Sequence, residues 1–460
     1  SLVPTVNTVP GVRMEERSPG SYRLSIRGSL LRSPFGVRNV KVYLAEFPLT
    51  DASGNTYINL IDTKAIERIE ILKGPDGSLF GANSGGVVLL DLIGQAKDSS
   101  RISAGLTGGS YGLFHENASL TQSSGKSRFS FNQGYQRSDG YRQNTAMQRN
   151  FLQAAERWSY GRNNSVKLLT FYSDIQYRTP GGLTQAQYDA DPRQARPAGG
   201  PNPGAVQQQA GIYNKTFFGG ITNELDIADH LRYVATVFGT HTDYKNPFIT
   251  NYEERKENNL GVRSYLELTG DGISGIRWRL NLGLEGQKGF QNISNYQNNG
   301  GTKGLLQASD KLDIGQIFYF TRLAATIGKR LTSELAVSLN DYEYSFTGLT
   351  SEGTRKFSGK WMPRFALSYL ITSDLALRAS VSRGYSPPTI AEVRPSNNVV
   401  NTMLQAESGW NREAGLRLTA LNNRIQLDAS AFDYDLQNAI VRRVDQNGAE
   451  FFVNAGGTNQ

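Results

Sequence analysis

The stretch 276-IRWRLNLGLEG-286 decides the fold. Ile276, Trp278, Leu280, Leu282 and Leu284 fall on one side of an extended chain, and Arg277, Arg279, Asn281, Gly283 and Glu285 fall on the other. Such period-two alternation marks a strand with one apolar and one polar face. Working outward, the same period recurs at Phe129, Phe131, Gln133 and Tyr135, at Leu335, Val337 and Leu339, and at Leu375, Leu377, Ala379 and Val381. Tight turns are expected at 122-QSSGK-126, 226-DIADH-230, 271-DGISG-275, 371-ITSD-374 and 421-LNN-423. Long connections are expected over 176–216, 288–309 and 384–409. About fifteen strands follow Arg101, with short turns at one rim and long loops at the other, which is the layout of a transmembrane antiparallel β-barrel. A soluble propeller or solenoid is the competing all-β reading, but the strands are long and no fixed blade period is present.

Composition agrees. Among 460 residues, 49 are glycine and 43 are tyrosine or phenylalanine (22 and 21), which suits many strands joined by turns. No stretch approaches eighteen consecutive apolar residues, which excludes a helical membrane span and leaves a barrel open. The absence of cysteine excludes a disulfide framework, a thiolate metal cluster and a cysteine nucleophile. His115, His230 and His241 are too scattered for a zinc motif. The net charge of +8 is spread along the chain, compatible with anionic ligands or with a solvated surface.

The first part of the chain, to about Leu92, reads as a compact mixed domain. A strand is expected over 40-VKVYLAEF-47 and another over 66-IERIEILKGP-75. Between them lie a turn at Ser53-Gly54 and a short helix from Asp62 to Glu67, with Asp62 as its cap. The run 74-GPDGSLFGANSGGVVLLDL-92 is a glycine-rich turn feeding an apolar strand, where Gly85-Gly86 permits close backbone approach. It lacks the Gly-Lys-Ser/Thr ending and opens no helix, so it is no phosphate loop. No serine occupies a nucleophile elbow. Aromatics interleaved with basic residues from Tyr172 to Arg178 read as membrane-interface girdles rather than a nucleic-acid surface. The chain is expected not to be an enzyme.

A barrel wide enough to hold a domain of ~90 residues needs about 22 strands. Ser1 starts without an initiator methionine or signal peptide, and 451-FFVNAGGTNQ-460 reads as the entry to a further strand. Both ends are therefore expected to be cut.

The blocks 9-VPGVRMEERSPGSYRLSIRGS-29, 39-NVKVYLAEFPLTD-51 and 66-IERIEILKGPDGSLFGANSGGVVLL-90 resemble, in order and spacing, the plug of TonB-dependent outer-membrane receptors. Within that family the chain looks closest to ferric-citrate and related siderophore receptors. The segments 139-DGYR-142, 382-SRGYSPPTIAEVRP-395 and 410-WNREAGLR-417 resemble its barrel strands. The resemblance implies a mixed α/β plug over 1–97 inside a barrel over 98–460, importing a ferric siderophore or similar iron chelate. Energy would come from the inner-membrane proton gradient through TonB, with ExbB and ExbD indirectly. The TonB box would precede Ser1 and about seven strands would follow Gln460. No cofactor is implied, and iron enters only within the transported chelate. Outer-membrane lipid and lipopolysaccharide would surround the barrel, surface-exposed protein partners are an open option, and nucleic acid is no partner. Alternatives are the same architecture for a vitamin or glycan, or a structural barrel in an outer-membrane assembly. One departure from the family is 45-AEFP-48, where Asp-Gly-Val/Ile-Pro is usual.

On the resemblance, Arg27-Gly28 is the plug's Arg-Gly element, expected to lock the plug to a wall carboxylate, with Glu67, Arg68 and Glu70 in the same network. The segment 28-GSLLRSPFGVR-38 is placed at the plug apex, where Arg32 and Arg38 would hold an anionic chelate and Phe35 would give an apolar surface. Asn55 and Tyr57 are further apical candidates. In the long insert 178–216, Arg193 and Arg196 are the candidates for ligand contact. For each arginine, the alternative is a tether or an ordinary surface residue.

Overall fold

The computed structural model describes residues 2–28, 32, 36–92, 100–200, 202–272, 275–349, 351–395, 399–446 and 449–459. The expected division at 97/98 lies outside these residues. The last plug strand ends at Asp91 and the first wall strand begins at Arg101.

The plug starts with a short helix, α1 (Leu2–Val6), and an antiparallel hairpin of β1 (Val12–Ser18) and β2 (Ser21–Ile26). A four-stranded sheet follows, built from β3 (Val40–Leu44), β4 (Phe47–Pro48), β5 (Arg68–Lys73) and β6 (Gly86–Asp91) in the order β4-β3-β6-β5. β3 and β6 run parallel, while β5 is antiparallel to β6. Every residue of β3 is buried, which its near-continuous apolar run VKVYL permits. At Gly86 (φ +147°) a Cβ would stand 2.4 Å from the Leu72 carbonyl, so the glycine is required by close approach of β5.

Two local expectations are corrected here. The segment after Asp62 is a turn and not a helix. The Asp62 Oδ1 accepts the Lys64 N–H at 2.8 Å, and its Oδ2 is drawn to wall residues, so the aspartate organises a turn without starting a helix. Conversely, the glycine run does open one helical turn, α2 (Gly77–Phe80), with Ser78 Oγ donating to Asp76 Oδ1 at 2.7 Å.

Around the plug, fifteen antiparallel strands from Arg101–Gly109 to Ile425–Gln437 follow one another in chain order, and Thr458–Asn459 adds a sixteenth position beside the last. In strand Ile276–Asn299, Asn281, Glu285 and Gln287 are buried, whereas Leu282 is 42% exposed. Leu280 sits opposite Leu268 and Leu323, and Leu282 opposite Leu266, forming a continuous apolar outer band. Trp361, opposite Leu339, is exposed near one margin of that band and Tyr369 near the other. This is the arrangement of a lipid-facing belt with aromatic borders.

The expected long connection over 288–309 is also corrected. Strands Ile276–Asn299 and Thr302–Ile327 continue through it and turn at Gly300-Gly301. Above the membrane belt a ladder no longer needs an apolar face, so a polar strand carries the composition of a loop.

The plug is seated on an apolar patch of the wall. Phe47 meets Phe218 at 5.8 Å, Phe218 stacks on Phe171 at 5.2 Å, and Phe151 follows at 6.1 Å. Gly220 makes room for this contact, because a Cβ there would stand 2.5 Å from the Phe47 ring.

Candidate functional site

The loop between strands Leu375–Ser386 and Glu407–Ala420 folds inward and carries a one-turn helix, Ile390–Val393. Its Glu392 has no exposed surface and receives Arg32 Nε at 3.0 Å and Nη2 at 3.2 Å. Arg32 also donates Nη1 to Glu407 and Nη2 to the Pro387 carbonyl. Burial pushes the Glu392 carboxyl up, but the charges of Arg32 and Arg38 outweigh it and hold the group below its ordinary value. Arg32 is thus saturated by protein acceptors.

Arg38 is less committed. Its Nη1 lies 3.7 Å from Glu392 and 3.3 Å from the Arg32 carbonyl, its Nε has no hydrogen-bond partner, and the Phe452 ring lies 5.0 Å below its Cζ. Burial lowers its pKa, against the attraction of Glu392. Phe452 belongs to the hairpin Ile440–Val444/Glu450–Asn454, which stands apart from the wall sheet.

Between the plug apex and these inward loops lies a cavity of about 660 Å³. The plug contributes Arg17, Arg23 and Arg38 to its lining, with Asn55 and Tyr57. The wall and loops contribute Arg142, Arg196, Arg255, Arg394 and Arg442. Against these eight arginines the described lining holds two carboxylates, Glu253 and Glu450. Tyr57 stacks on Tyr244 at 5.8 Å and donates to Glu257 at 3.3 Å. The chamber is cationic with aromatic panels and suits a large anion.

Of the residues singled out from sequence, Arg38, Asn55, Tyr57 and Arg196 meet at this chamber. Arg32 lies behind it, among its carboxylates. Arg193 is outside it, exposed, with its Cζ 5.6 Å from the Tyr141 ring. Phe35 lies outside the described residues. Arg27 makes a two-pronged pair with Glu413 at 2.7 and 2.8 Å and sits 4.5 Å from the Phe432 ring; Gly28 is exposed and its carbonyl accepts Ser25 Oγ at 2.8 Å. Glu67, Arg68 and Glu70 are exposed and separate from that pair, since Arg68 donates to Glu70 at 2.7 Å.

Sequence reasoning missed Arg142, Arg255, Arg394 and Arg442, which their strands and loops bring in from distant positions. It also missed a second plug–wall contact. Asp62 Oδ2 lies 3.0 Å from both His115 Nε2 and Arg149 Nη2, while Arg149 Nη1 donates to the Ile61 carbonyl at 3.0 Å. Burial raises the Asp62 carboxyl, but the His115 hydrogen bond and the Arg149 charge prevail and bring it down to about 2.

A plug inside an antiparallel wall with a lipid-facing band defines an outer-membrane receptor barrel. The chain belongs to the TonB-dependent receptor family: residues 1–88 match the TonB-dependent receptor plug domain and residues 82–460 the TonB-dependent receptor-like β-barrel. It is a multi-strand outer-membrane protein. Solved structures share the fold at low identity. The unliganded ferric citrate transporter FecA is 15% identical with a TM-score of 0.78, over 99% of this chain and 70% of that one. The alcaligin receptor FauA from Bordetella pertussis is 13% identical with a TM-score of 0.71, over 99% and 72%. The siderophore receptor PiuA from Acinetobacter baumannii is 14% identical with a TM-score of 0.70, over 97% and 75%.

Proposed function

We propose that this receptor imports an anionic iron chelate, a ferric siderophore or a citrate-like complex, across the outer membrane. The observation that carries the reading is the arginine-rich chamber between the plug apex and the inward loops. Its volume of about 660 Å³ is that of a small-molecule site, and its charge selects for carboxylate, hydroxamate or phosphate oxygens around the metal. Ferric citrate and siderophores are the cargo named for the solved relatives, which supports the same class here.

In this reading the chelate settles on Arg38, Arg196 and Tyr57, and iron stays within it. TonB, with ExbB and ExbD behind it, supplies the pull through a box on the plug side. The Arg27–Glu413 pair is then the lock that holds the plug while idle, and lipopolysaccharide and lipid bathe the outer band. Arg32 serves the plug-to-loop tether rather than the ligand.

Calorimetric titration of the detergent-extracted receptor with a panel of ferric chelates tests this. One chelate is expected to bind, and Arg38→Ala or Arg196→Ala should weaken it about tenfold, the worth of one charge-assisted contact. Arg193→Ala should leave it unchanged. Binding of a neutral vitamin or glycan with no response to any ferric chelate would overturn the cargo assignment.

A further inference from the structure

Below the chamber lies a smaller cavity of about 30 Å³ that shares Asn55 and Tyr57 with it. Its polar lining is oxygen-rich: Asp51 from the plug, and Glu257, Gln291, Thr216 and Thr242 from the wall. No lysine, arginine or histidine is among the described lining residues. Gln291 is 5% exposed, yet its Oε1 has no hydrogen-bond partner. A buried amide oxygen left this way signals a bound water or cation.

Charge counting points the same way. Arg255 pairs with Glu253 at 2.6 Å and Glu257 at 3.6 Å, and Arg394 pairs with Asp310 at 2.7 Å and Glu253 at 3.7 Å. Glu253, Arg255 and Arg394 belong to the chamber above, so the small cavity itself is left with the carboxylates of Asp51 and Glu257 and no lining cation among the described residues. Asp51 Oδ1 is fixed by Ser53 N–H at 2.9 Å, Ser53 Oγ at 2.6 Å and Asn55 N–H at 3.0 Å, so the turn itself presents Oδ2.

We propose that this cavity is a site for a hard divalent cation of the calcium class, joining the plug apex to the barrel wall. Carboxylate, amide and hydroxyl oxygens of irregular placement suit calcium, whereas magnesium demands a strict octahedron and keeps waters for which the cavity has little room. The ion would neutralise the Asp51 and Glu257 carboxylates and pin the turn 51–57 directly under the ligand chamber. The site stands independently of which chelate the receptor carries.

Terbium provides the test, because it replaces calcium and its emission is sensitised by a nearby tyrosine, here Tyr57. The detergent-extracted receptor is stripped with EGTA and titrated with terbium chloride. Emission should saturate at one ion per chain, fall on adding calcium, and resist an equal concentration of magnesium; calcium should also raise the melting temperature. Asp51→Asn and Glu257→Gln should each weaken terbium binding by roughly tenfold or more. Gln291→Leu, which leaves the charges untouched, should weaken it too, and decides the matter if the charge variants do not fold. Absence of saturable, calcium-displaceable emission in the stripped wild type would overturn the site, as would emission undiminished in the folded variants. A melting point that rises with acid but ignores calcium would assign the cavity to a shared proton and overturn it equally.

Discussion

Backbone strain in the plug can be traced to single residues. In 45-AEFP-48 the turn between β3 and β4 places Ala45 at φ +51°, while its N–H donates to the Leu90 carbonyl at 2.9 Å. An alanine in the left-handed region clashes through its Cβ, whereas glycine does not. Ala45→Gly is expected to stabilise the receptor by about 1 kcal/mol, read as a higher melting temperature. An unchanged or lower melting point would show that the turn relaxes without cost. Arg32 and Arg38 make the same point about scale. They are six residues apart in one apical segment, yet one is filled by Glu392, Glu407 and Pro387 while the other keeps an unpartnered Nε.

At the level of elements, the turn after Asp62 is a latch between the plug and wall strands Leu113–Ser124 and Met147–Tyr160. The sign of its pH dependence follows from the depressed carboxyl. A group that ionises more easily when folded stabilises the fold above its ordinary pKa and loses that contribution as pH falls through the folded value, here about 2. A depression of this size is worth ~2 kcal/mol at neutral pH. Asp62→Asn should therefore lower stability by about that amount at pH 7, and the gap to wild type should close progressively below the ordinary aspartate range. Melting curves of both proteins across pH 7 to pH 2 check this. A gap that persists undiminished at the acid end would mean that the latch works through shape and not charge.

On the scale of the whole molecule, the wall must satisfy lipid outside and a polar plug inside at once. Leu280, Leu282 and Leu284 share the outer face of their strand, whereas Glu285 is buried in the lumen, donor groups of Tyr43 and Arg263 reaching it at 2.9 and 2.7 Å. Leu282→Arg should cost ~2–4 kcal/mol if the site lies near the bilayer midplane. Spin labels at positions 280 and 282 should report lipid, and a label at 285 should not. Water accessibility at 280 and 282 would contradict the assigned faces.

Fold class, strand alternation and the short turns of one rim were legible in the sequence because they are local properties. Side chains alternate with period two on any strand, so the composition of 276–286 already separates lipid face from lumen face. The plug blocks were legible as well, through their order and spacing. What lay beyond reach was set by tertiary structure. The polar run 288–309 reads as a loop until its backbone is seen to pair, and Asp62 reads as a helix cap until wall cations claim its carboxylate. Arg27 and Glu413 are 386 positions apart, and Arg32 and Glu407 are 375 apart. No local pattern links such partners. Only the wrapping of the wall around the plug decides which arginine is neutralised and which is left facing the chamber.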